Sequence, residues 1–308
     1  MILITGGLGF VGTHTTRAFL DRGESCVLVQ RSTTTLPDTL AGAPGKAVVE
    51  QVDITDRVAF LDIGRRHPVT GIVHLAGAFG GTDPIEDARR ETGGLLTVLE
   101  AARDWGVPRV TIASTIGVYG GAPGTSPFHE DVPLPLAAGP LIPAVKKIDE
   151  LLADLVGGAL GVTVVHCRIG AVWGPGARPS SRFLAAPELV HAAVRGIPID
   201  SPHHAEDGID LCYAPDCGTA LALLQLAGGV RHTVYNVASG RPTTNGEIAD
   251  AIRRVVPDAR IGLAPGSQHG STWLDVTRLR EDTGFTPARD TDDAVADYVA
   301  WLRAGHER

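Results

Sequence analysis

A glycine-rich turn near the start of the chain has the spacing of a dinucleotide-binding site. The segment Thr5-Gly6-Gly7-Leu8-Gly9-Phe10-Val11-Gly12 follows a short β-branched run and precedes an amphipathic stretch. Gly6 permits a tight turn, Gly9 lets the backbone approach a pyrophosphate, and Gly12 allows the next helix to pack close to a sheet. The helix N-terminus then presents amide groups and a positive dipole end to the phosphates. We therefore expect a dinucleotide to be bound by Gly6, Gly9, Phe10, Val11 and Gly12.

The residues after the second β-branched run favour a cofactor that carries a 2′-phosphate. NAD-binding proteins place an acidic residue here for the ribose hydroxyls, whereas this chain has Gln30-Arg31-Ser32. Arg31 can pair with a phosphate and stack on adenine, and Ser32 can donate a hydrogen bond. We expect NADP(H), with NADH as the alternative cofactor and a solvated surface arginine as the other interpretation of Arg31.

The elements that must position these residues alternate between strand and helix. Short β-branched runs predict strands at 2–5, 26–30, 47–52, 71–75, 109–113 and 162–167, and amphipathic stretches predict helices at 11–22, 56–67, 84–105 and 144–160. This order predicts an α/β fold, a Rossmann-type doubly wound parallel sheet. After Gly174 the order breaks into Pro-rich loops, helical stretches at 181–195 and 216–227, and a strand-helix block at 233–256. We expect an NADP(H)-binding domain at 1–172 and a smaller substrate-binding lobe at 173–308, with some segments interleaved.

Several short motifs in this order resemble the extended short-chain dehydrogenase/reductase family over nearly the whole chain. The glycine turn resembles the family's TGxxGxxG, residues 74–77 its HxAA stretch and residues 114–120 its SSxxVYG. Residues 168–176 parallel its RxxNVYGPG, and further matching blocks lie at 52–56, at 235–240 and at 274–276 with Trp301. The resemblance implies additional cofactor contacts from Asp53, Ile54, Leu75, Ala76, Gly77, Lys146 and Ile169.

The family's catalytic tyrosine has no counterpart in this chain. In the family a Tyr lies four residues before a Lys; the phenol exchanges the substrate proton, and the ammonium lowers the phenol's pKa and holds the nicotinamide ribose. Lys146 aligns best with that lysine because Glu150 follows four residues later, and Ile142 then replaces the tyrosine. The resemblance implies that Lys146 still holds the ribose, with a surface-facing role for Lys146 or Lys147 as the alternative.

Two neighbouring hydroxyls are the other candidate catalytic groups. Thr115 lies three residues before Val118, at the position of the family's active-site Ser or Thr, whose hydroxyl binds a substrate oxygen. Ser114 is adjacent, and either hydroxyl could instead satisfy backbone groups at a strand end. Glu91 stands where the family commonly has an Asn, and the sequence offers no account of that change.

The second binding site departs from the nucleotide-sugar members of the family. Those members bind the diphosphate through an Asn and two Arg, and this chain has Ala171, Ile209 and the segment 266–270 at those places. Because a buried diphosphate without cationic or amide partners is costly, the sequence predicts a ligand of lower charge. Together with the loss of the tyrosine, these departures argue against a sugar epimerase or dehydratase.

Composition narrows the class of partner. The chain has 308 residues, with 27 Lys and Arg against 35 Asp and Glu and a formal net charge of -8. The basic excess needed for nucleic acid or an anionic membrane is missing. Neither the four cysteines nor the histidines and acidic residues at 203–210 have the spacing of a usual metal site, so no metal is expected. The cysteine thiols are expected to be reduced.

The first residues and the lengths of the apolar runs predict the cellular location of the protein. The first residues read directly as a strand, without a targeting segment, and no apolar run approaches the roughly 18 to 20 residues that span a bilayer. We therefore expect a cytoplasmic protein that is a monomer or a homodimer.

These observations together predict an NADPH-dependent ketoreductase. Without a tyrosine, the proton could come from a hydroxyl on the substrate, such as a phenol beside the ketone. This pattern resembles the atypical ketoreductases of aromatic polyketide antibiotic biosynthesis, including those of the simocyclinone type that act on angucyclinones. The expected partner is thus a small aromatic polyketide-like ketone. Two alternatives stay open: a non-catalytic NADP(H)-binding redox sensor, and a nucleoside diphosphate sugar epimerase or dehydratase.

Overall fold

The chain folds as an α/β structure, in a computed structural model that describes residues 1–33, 35–77, 83–137, 140–180 and 184–306. The strands, in chain order, are β1 Ile2–Thr5, β2 Cys26–Gln30, β3 Ala47–Gln51, β4 Gly71–His74, β5 Arg109–Thr115, β6 Thr163–Ile169, β7 Ala171–Trp173, β8 Ile199–His204, β9 Gly208–Ile209, β10 Leu211–Tyr213, β11 Val234–Val237, β12 Thr243–Thr244, β13 Ile261–Ala264 and β14 Ser271–Thr272. The helices are α1 Phe10–Asp21, α2 Arg57–Arg66, α3 Pro84–Trp105, α4 Leu141–Leu160, α5 Ala185–Val194, α6 Ala214–Leu226, α7 Asn245–Val255, α8 Thr277–Thr283 and α9 Thr291–Arg303.

A seven-stranded parallel sheet forms the centre of the fold, in the order β11-β6-β5-β4-β1-β2-β3. The strand order reverses between β1 and β4, so the carboxyl ends of these two strands flank a crevice. Ligands of doubly wound sheets bind at such a point. The predicted Rossmann-type sheet is therefore confirmed.

Helices cover both faces of this sheet, because successive strand residues point to opposite sides. Leu3 of β1 packs in one apolar cluster with Phe60 of α2 and Leu95 of α3. The next residue, Ile4, packs on the other face with Phe19 of α1. All four residues of β1 are buried, which is typical of a parallel strand that is covered on both sides.

The C-terminal half forms a second apolar core beside the sheet. Side chains from α5, α7 and α9 meet there, and Leu189, Ile252 and Val295 are fully buried. His191 and the hydroxyl of Tyr298 are 2.9 Å apart inside this core. The short strands β7 and β10 pair in parallel next to it.

The boundaries differ from the predictions in ways that matter for the site. Helix α4 begins at Leu141 rather than at 144, because Pro143 falls in the first turn, where no amide donor is needed. Strand β5 runs to Thr115 rather than to 113. The helix predicted at 181–195 is observed as α5, and residues 181–183 lie outside the described residues.

The C-terminal half also contributes to the central sheet. Strand β11 pairs with β6, from Val234 opposite His166 to Val237 opposite Ile169. The division of the chain at residue 172 stays a prediction, with this strand as one interleaved segment. None of the described helices is both long and apolar enough to cross a membrane.

Candidate active site

The glycine turn forms a cradle at the N-terminus of α1. Gly6 has a φ of +67°, a conformation that L-residues with side chains rarely adopt. The Gly9 amide donates to the Gly6 carbonyl at 2.8 Å, and no side chain of the described residues caps the helix. A Cβ on Gly12 would overlap the Gly6 carbonyl oxygen. This tight, uncapped turn suits the pyrophosphate of a dinucleotide.

Replacing Gly12 with alanine is expected to weaken cofactor binding at least about tenfold, because the new methyl group displaces the Gly6 carbonyl from the turn. Calorimetric titration of the purified protein with NADP and NAD measures the effect. Gly158→Ala is the matched control, since Gly158 is also helical and a Cβ there meets nothing within 4 Å. Equal affinity in the Gly12 variant and the unchanged protein would contradict a role for this turn.

A cavity of about 500 Å³ lies between this turn and the carboxyl ends of β2, β3 and β4. Nine of the residues predicted to contact the cofactor line it: Gly6, Gly9, Arg31, Ser32, Asp53, Ile54, Leu75, Ala76 and Gly77. The other predicted contacts, Phe10, Val11, Gly12, Lys146 and Ile169, are not part of this lining. Asp87 and Arg90 of α3 also line the cavity, and sequence reasoning missed them. Their position in the first two turns of the helix after Gly77 was the available signal.

The charged groups of this cavity face one another. The Arg90 guanidinium lies 3.7 Å from the Asp53 carboxylate. Burial acts to raise the pKa of Asp53, but hydrogen bonds from Thr55 and the charges of Arg90 and Arg31 outweigh it and lower this pKa. The Asp53 carboxylate therefore stays ionised, and Arg31 is close enough to influence it. The charged residues that line the cavity are thus two arginines and two aspartates.

Lys146 is held by two buried carboxylates. Its ammonium donates to Glu91 Oε1 at 2.7 Å and to Asp149 Oδ2 at 3.1 Å, and the three side chains are 10%, 2% and 4% exposed. Burial acts to lower the pKa of Lys146, but the charges of Glu91 and Asp149 outweigh it and raise this pKa. The group is therefore a fixed ammonium and a poor proton acceptor. Its contact with a nicotinamide ribose stays a prediction.

None of the four tyrosines takes the place of the missing phenol. Ile142 lies in the first turn of α4 and is 44% exposed. Each tyrosine is buried, with its hydroxyl close to a group elsewhere in the fold: Tyr119 to Asn236, Tyr213 to Asp297, Tyr235 to Asp282 and Tyr298 to His191. Burial is the largest cause that raises the pKa of all four. They are structural hydroxyls, so the position beside Lys146 is occupied by a hydrocarbon side chain.

The two candidate hydroxyls at the end of β5 have different surroundings. Ser114 is buried, and its hydroxyl donates to Glu150 Oε1 at 2.5 Å. Thr115 is partly exposed, and its oxygen accepts the Gly117 amide at 3.2 Å. Because the Ser114 proton is already donated, Thr115 is the better placed of the two to contact a bound substrate.

His74, at the end of β4, is a neutral imidazole. The Thr5 hydroxyl oxygen accepts the amides of Leu75 and Ala76 and lies 2.7 Å from His74 Nδ1. With both amides donating to the oxygen, the single Thr5 proton is donated to Nδ1, so the ring proton is on Nε2. Burial first, and then the charge of Lys146, lowers the pKa of His74 to about 4. This histidine therefore holds the turn in place and is not a proton donor near neutral pH.

At the positions where nucleotide-sugar members of the family bind the diphosphate, this chain has apolar residues and a loop that is hydrogen-bonded to an aspartate. Ala171 lies on β7 and Ile209 on β9. In the segment 266–270, the amides of 268–270 and the Ser267 hydroxyl all donate to one oxygen of Asp207. The cluster of acidic residues and histidines at 203–210 does not form a metal site. His204 contacts the Pro265 carbonyl. The described residues contain no group of three or more His, Cys, Asp or Glu arranged for a metal ion.

The chain matches one family model and is similar to several curated proteins and solved structures. The model of the NAD dependent epimerase/dehydratase family matches residues 2–238. A UDP-glucose 4-epimerase from Azospirillum brasilense is 28% identical over 98% of this chain and 92% of its own length. The structure of MoeE5 in complex with UDP-glucuronic acid and NAD is 26% identical, with a TM-score of 0.80 over 99% of each chain. The UDP-glucose 4-epimerase of Thermotoga maritima, solved with UDP-glucose, has a TM-score of 0.84 over 99% of each chain at 22% identity, which shows the fold alone.

These comparisons correct the predicted activity. Several of the curated relatives are UDP-glucose or UDP-glucuronate 4-epimerases, so the expectation of an aromatic polyketide ketone as partner, and of a ketoreductase of simocyclinone type in antibiotic biosynthesis, is wrong. The resemblance to the extended short-chain dehydrogenases fits the family match, and the findings favour the sugar-nucleotide alternative. The error came from Ile142 and from the three departures at the second binding site, which were given more weight than the similarity of the whole chain.

Proposed function

The chain belongs to the NAD dependent epimerase/dehydratase family, and we propose that this nicotinamide-dependent enzyme acts on the sugar of a nucleoside diphosphate sugar. The observation that carries the proposal is the similarity to a UDP-glucose 4-epimerase along 98% of the chain, which includes the sheet and the C-terminal elements. The glycine cradle and the cavity beside it fit a dinucleotide. UDP-sugars are the substrates to test first, since several relatives are UDP-glucose or UDP-glucuronate 4-epimerases.

Each part of the site has a defined task in this function. The cradle at Gly6 to Gly12 binds the pyrophosphate, and Arg31 pairs with the 2′-phosphate of NADP. The bound nicotinamide supplies a hydride acceptor. Thr115 donates a hydrogen bond to the reacting sugar oxygen. The positive charge of Lys146 lies beside this oxygen. These contacts position a hydroxyl-bearing carbon of the sugar so that it can give a hydride to the cofactor and later receive it back.

No tyrosine is available to accept the proton of the sugar hydroxyl. Lys146 is already protonated and held by Glu91 and Asp149, so it does not accept this proton. Ile142 is half-exposed, and water at the first turn of α4 takes the proton instead. We therefore expect slow turnover, since a positioned acid or base contributes about a hundredfold to ten-thousandfold in rate.

Arg31→Asp is expected to weaken NADP binding about tenfold to a hundredfold and to leave NAD binding nearly unchanged. The reason is that the variant loses a charged hydrogen-bond donor and places a carboxylate against the 2′-phosphate. Titration of the protein with both cofactors measures the two dissociation constants. Arg65→Asp makes the same charge change on α2, at a side chain that is 87% exposed, and serves as the control. An equal loss for both cofactors would remove Arg31 from the 2′-phosphate site.

Turnover is tested with the purified chain, NADP or NAD, and UDP-glucose, UDP-glucuronate or UDP-N-acetylglucosamine. Proton NMR follows the sugar, and we expect a slow change at C4 that gives the epimer or a dehydrated product, with no net consumption of cofactor in epimerisation. Binding of cofactor and UDP without any change in these sugars over a day would contradict the proposed function.

A further inference from the structure

The loop between β13 and β14 holds a carboxylate in the way that an anion receptor does. The amides of Gln268, His269 and Gly270 donate to Asp207 Oδ1 at 2.9, 2.8 and 3.0 Å. The Ser267 hydroxyl donates to the same oxygen at 2.6 Å. Successive backbone amides that converge on one point form a concave site for an anion, of the kind that binds phosphate groups. In this protein the anion in the site is the Asp207 side chain.

Uncharged donors hold the negative charge of Asp207. The hydrogen bond from Ser267 is the largest cause that lowers the pKa of Asp207, and the amides of 268–270 lower it further. The carboxylate is therefore ionised near neutral pH, and the loop binds a full negative charge. Residues 267–270 are exposed, so a dissolved anion can reach the same amides.

Backbone contacts that do not involve the Asp207 side chain fix the shape of this loop. On one side the Glu206 amide donates to the Gly266 carbonyl at 3.0 Å, and on the other the Gly208 amide donates to the Gly270 carbonyl at 3.0 Å. Gly266 and Gly270 have φ angles of +72° and +70°, which glycine adopts without strain. We therefore expect the loop amides to keep their direction when the Asp207 side chain is removed.

The three positions at which the resemblance places diphosphate ligands lie together in the fold. Strand β14, which follows the loop, pairs with β9, and Thr272 lies opposite Ile209. The Ala171 amide donates to the carbonyl of Asp210, the residue after Ile209, at 2.9 Å. Ala171 and Ile209 have no polar side-chain atom, so the amides of 268–270 are the donors at these positions that suit a diphosphate.

We propose that the amides of 268–270 bind the diphosphate of the substrate and that Asp207 occupies them until a nucleoside diphosphate displaces its side chain. The inference rests on the diphosphate part of the proposed function and not on the sugar or the cofactor. Two anions cannot share these donors, and like charges repel each other at this distance. Asp207 is therefore a specificity-determining residue that weakens the binding of a diphosphate and leaves the binding of the nucleoside unaffected.

The test measures the dissociation constant of the full chain for UDP at pH 7.5 by isothermal titration calorimetry. Asp207→Ala is expected to tighten UDP binding at least about tenfold, because the competing carboxylate and its repulsion are both removed. The affinity for uridine, which has no phosphate, should stay the same. Glu206→Gln removes an acidic charge at the neighbouring exposed residue and is the matched control that should leave UDP binding unchanged. Unchanged or weaker UDP binding in folded Asp207→Ala overturns the proposal.

A second variant covers the case in which Asp207→Ala fails to fold. Asp207→Asn keeps an oxygen that accepts the hydrogen bonds of the loop but removes the charge. It should also tighten UDP binding, and an unchanged dissociation constant there overturns the proposal equally.

A second measurement locates the anion. In ¹⁵N-labelled Asp207→Ala, inorganic diphosphate is expected to shift the amide resonances of 268–270, and the absence of any response at these three amides overturns the proposal. A response of these amides without turnover of UDP-sugars would reject only the sugar substrate. Turnover of UDP-sugars without such a response would reject only this inference.

Discussion

Replacing Ile142 with tyrosine is expected to raise sugar turnover about a hundredfold or more. Ile142 lies four residues before Lys146 on α4, so the two side chains share one helix face. At 44% exposure the site can accept a ring without displacing the core. A phenol one helical turn before Lys146 is placed to exchange the proton of the sugar hydroxyl. Initial rates of C4 epimerisation with saturating cofactor measure the gain.

Ile142→Phe separates the hydroxyl from the ring. It adds the same aromatic bulk without an acid or base, so its rate should stay at the level of the unchanged protein. The tyrosine variant should also gain a rate that rises with pH as its phenol ionises. If the Phe and Tyr variants turned over equally, the missing phenol would not be what limits this site.

Glu150→Gln is expected to lower the free energy of unfolding by about 3 to 5 kcal/mol. Glu150 accepts three hydrogen bonds from Arg168, the shortest at 2.7 Å, and one from Ser114. The side chains of Glu150 and Arg168 are 9% and 6% exposed. Burial acts to lower the pKa of Arg168, but Glu150 outweighs it and raises this pKa. The substitution removes that support, and the guanidinium nevertheless stays charged because arginine is protonated at all accessible pH values. It would then be a buried charge without a counterion. Urea unfolding followed by circular dichroism measures the loss.

The control for this stability change is Glu100→Gln. Glu100 pairs with Arg57, whose side chain is 57% exposed, and exposed pairs contribute little to stability because water screens them. A similarly small loss in Glu150→Gln would show that the network behind Ser114 does not hold the end of β5 in place.

The sheet and the cofactor turn could be predicted because their signals are local. The glycine spacing, the β-branched runs and the residues at 30–32 each lie within a few positions of one another. The contacts around Lys146 could not be predicted in this way, since Glu91 lies 55 positions away and reaches it only after α3 and α4 pack together. The Asp87 and Arg90 side chains were missed although their place in the first two turns of α3 was a local signal, because nothing in the sequence shows that these turns face the cavity.

The different surroundings of Ser114 and Thr115 could not be predicted, because the end of the fifth strand was placed too early. The predicted fifth strand stopped at 113, so the alternation of side chains along a strand was not applied to these two residues. In the structure β5 includes both, and alternation directs them to opposite sides of the sheet. Only the observed bounds show that Ser114 faces Glu150.

The position of β11 at the outer edge of the sheet has a consequence for how the protein is made. Its partner β6 ends at Ile169, but the strand that covers it begins at Val234. During synthesis, β6 is therefore an open edge until the later segment has left the ribosome, and open edges are the sites at which nascent chains join one another. The long separation of these partners also makes their pairing a slow step. Pairing of β11 with β6 thus closes the edge on which another copy of the chain could pair.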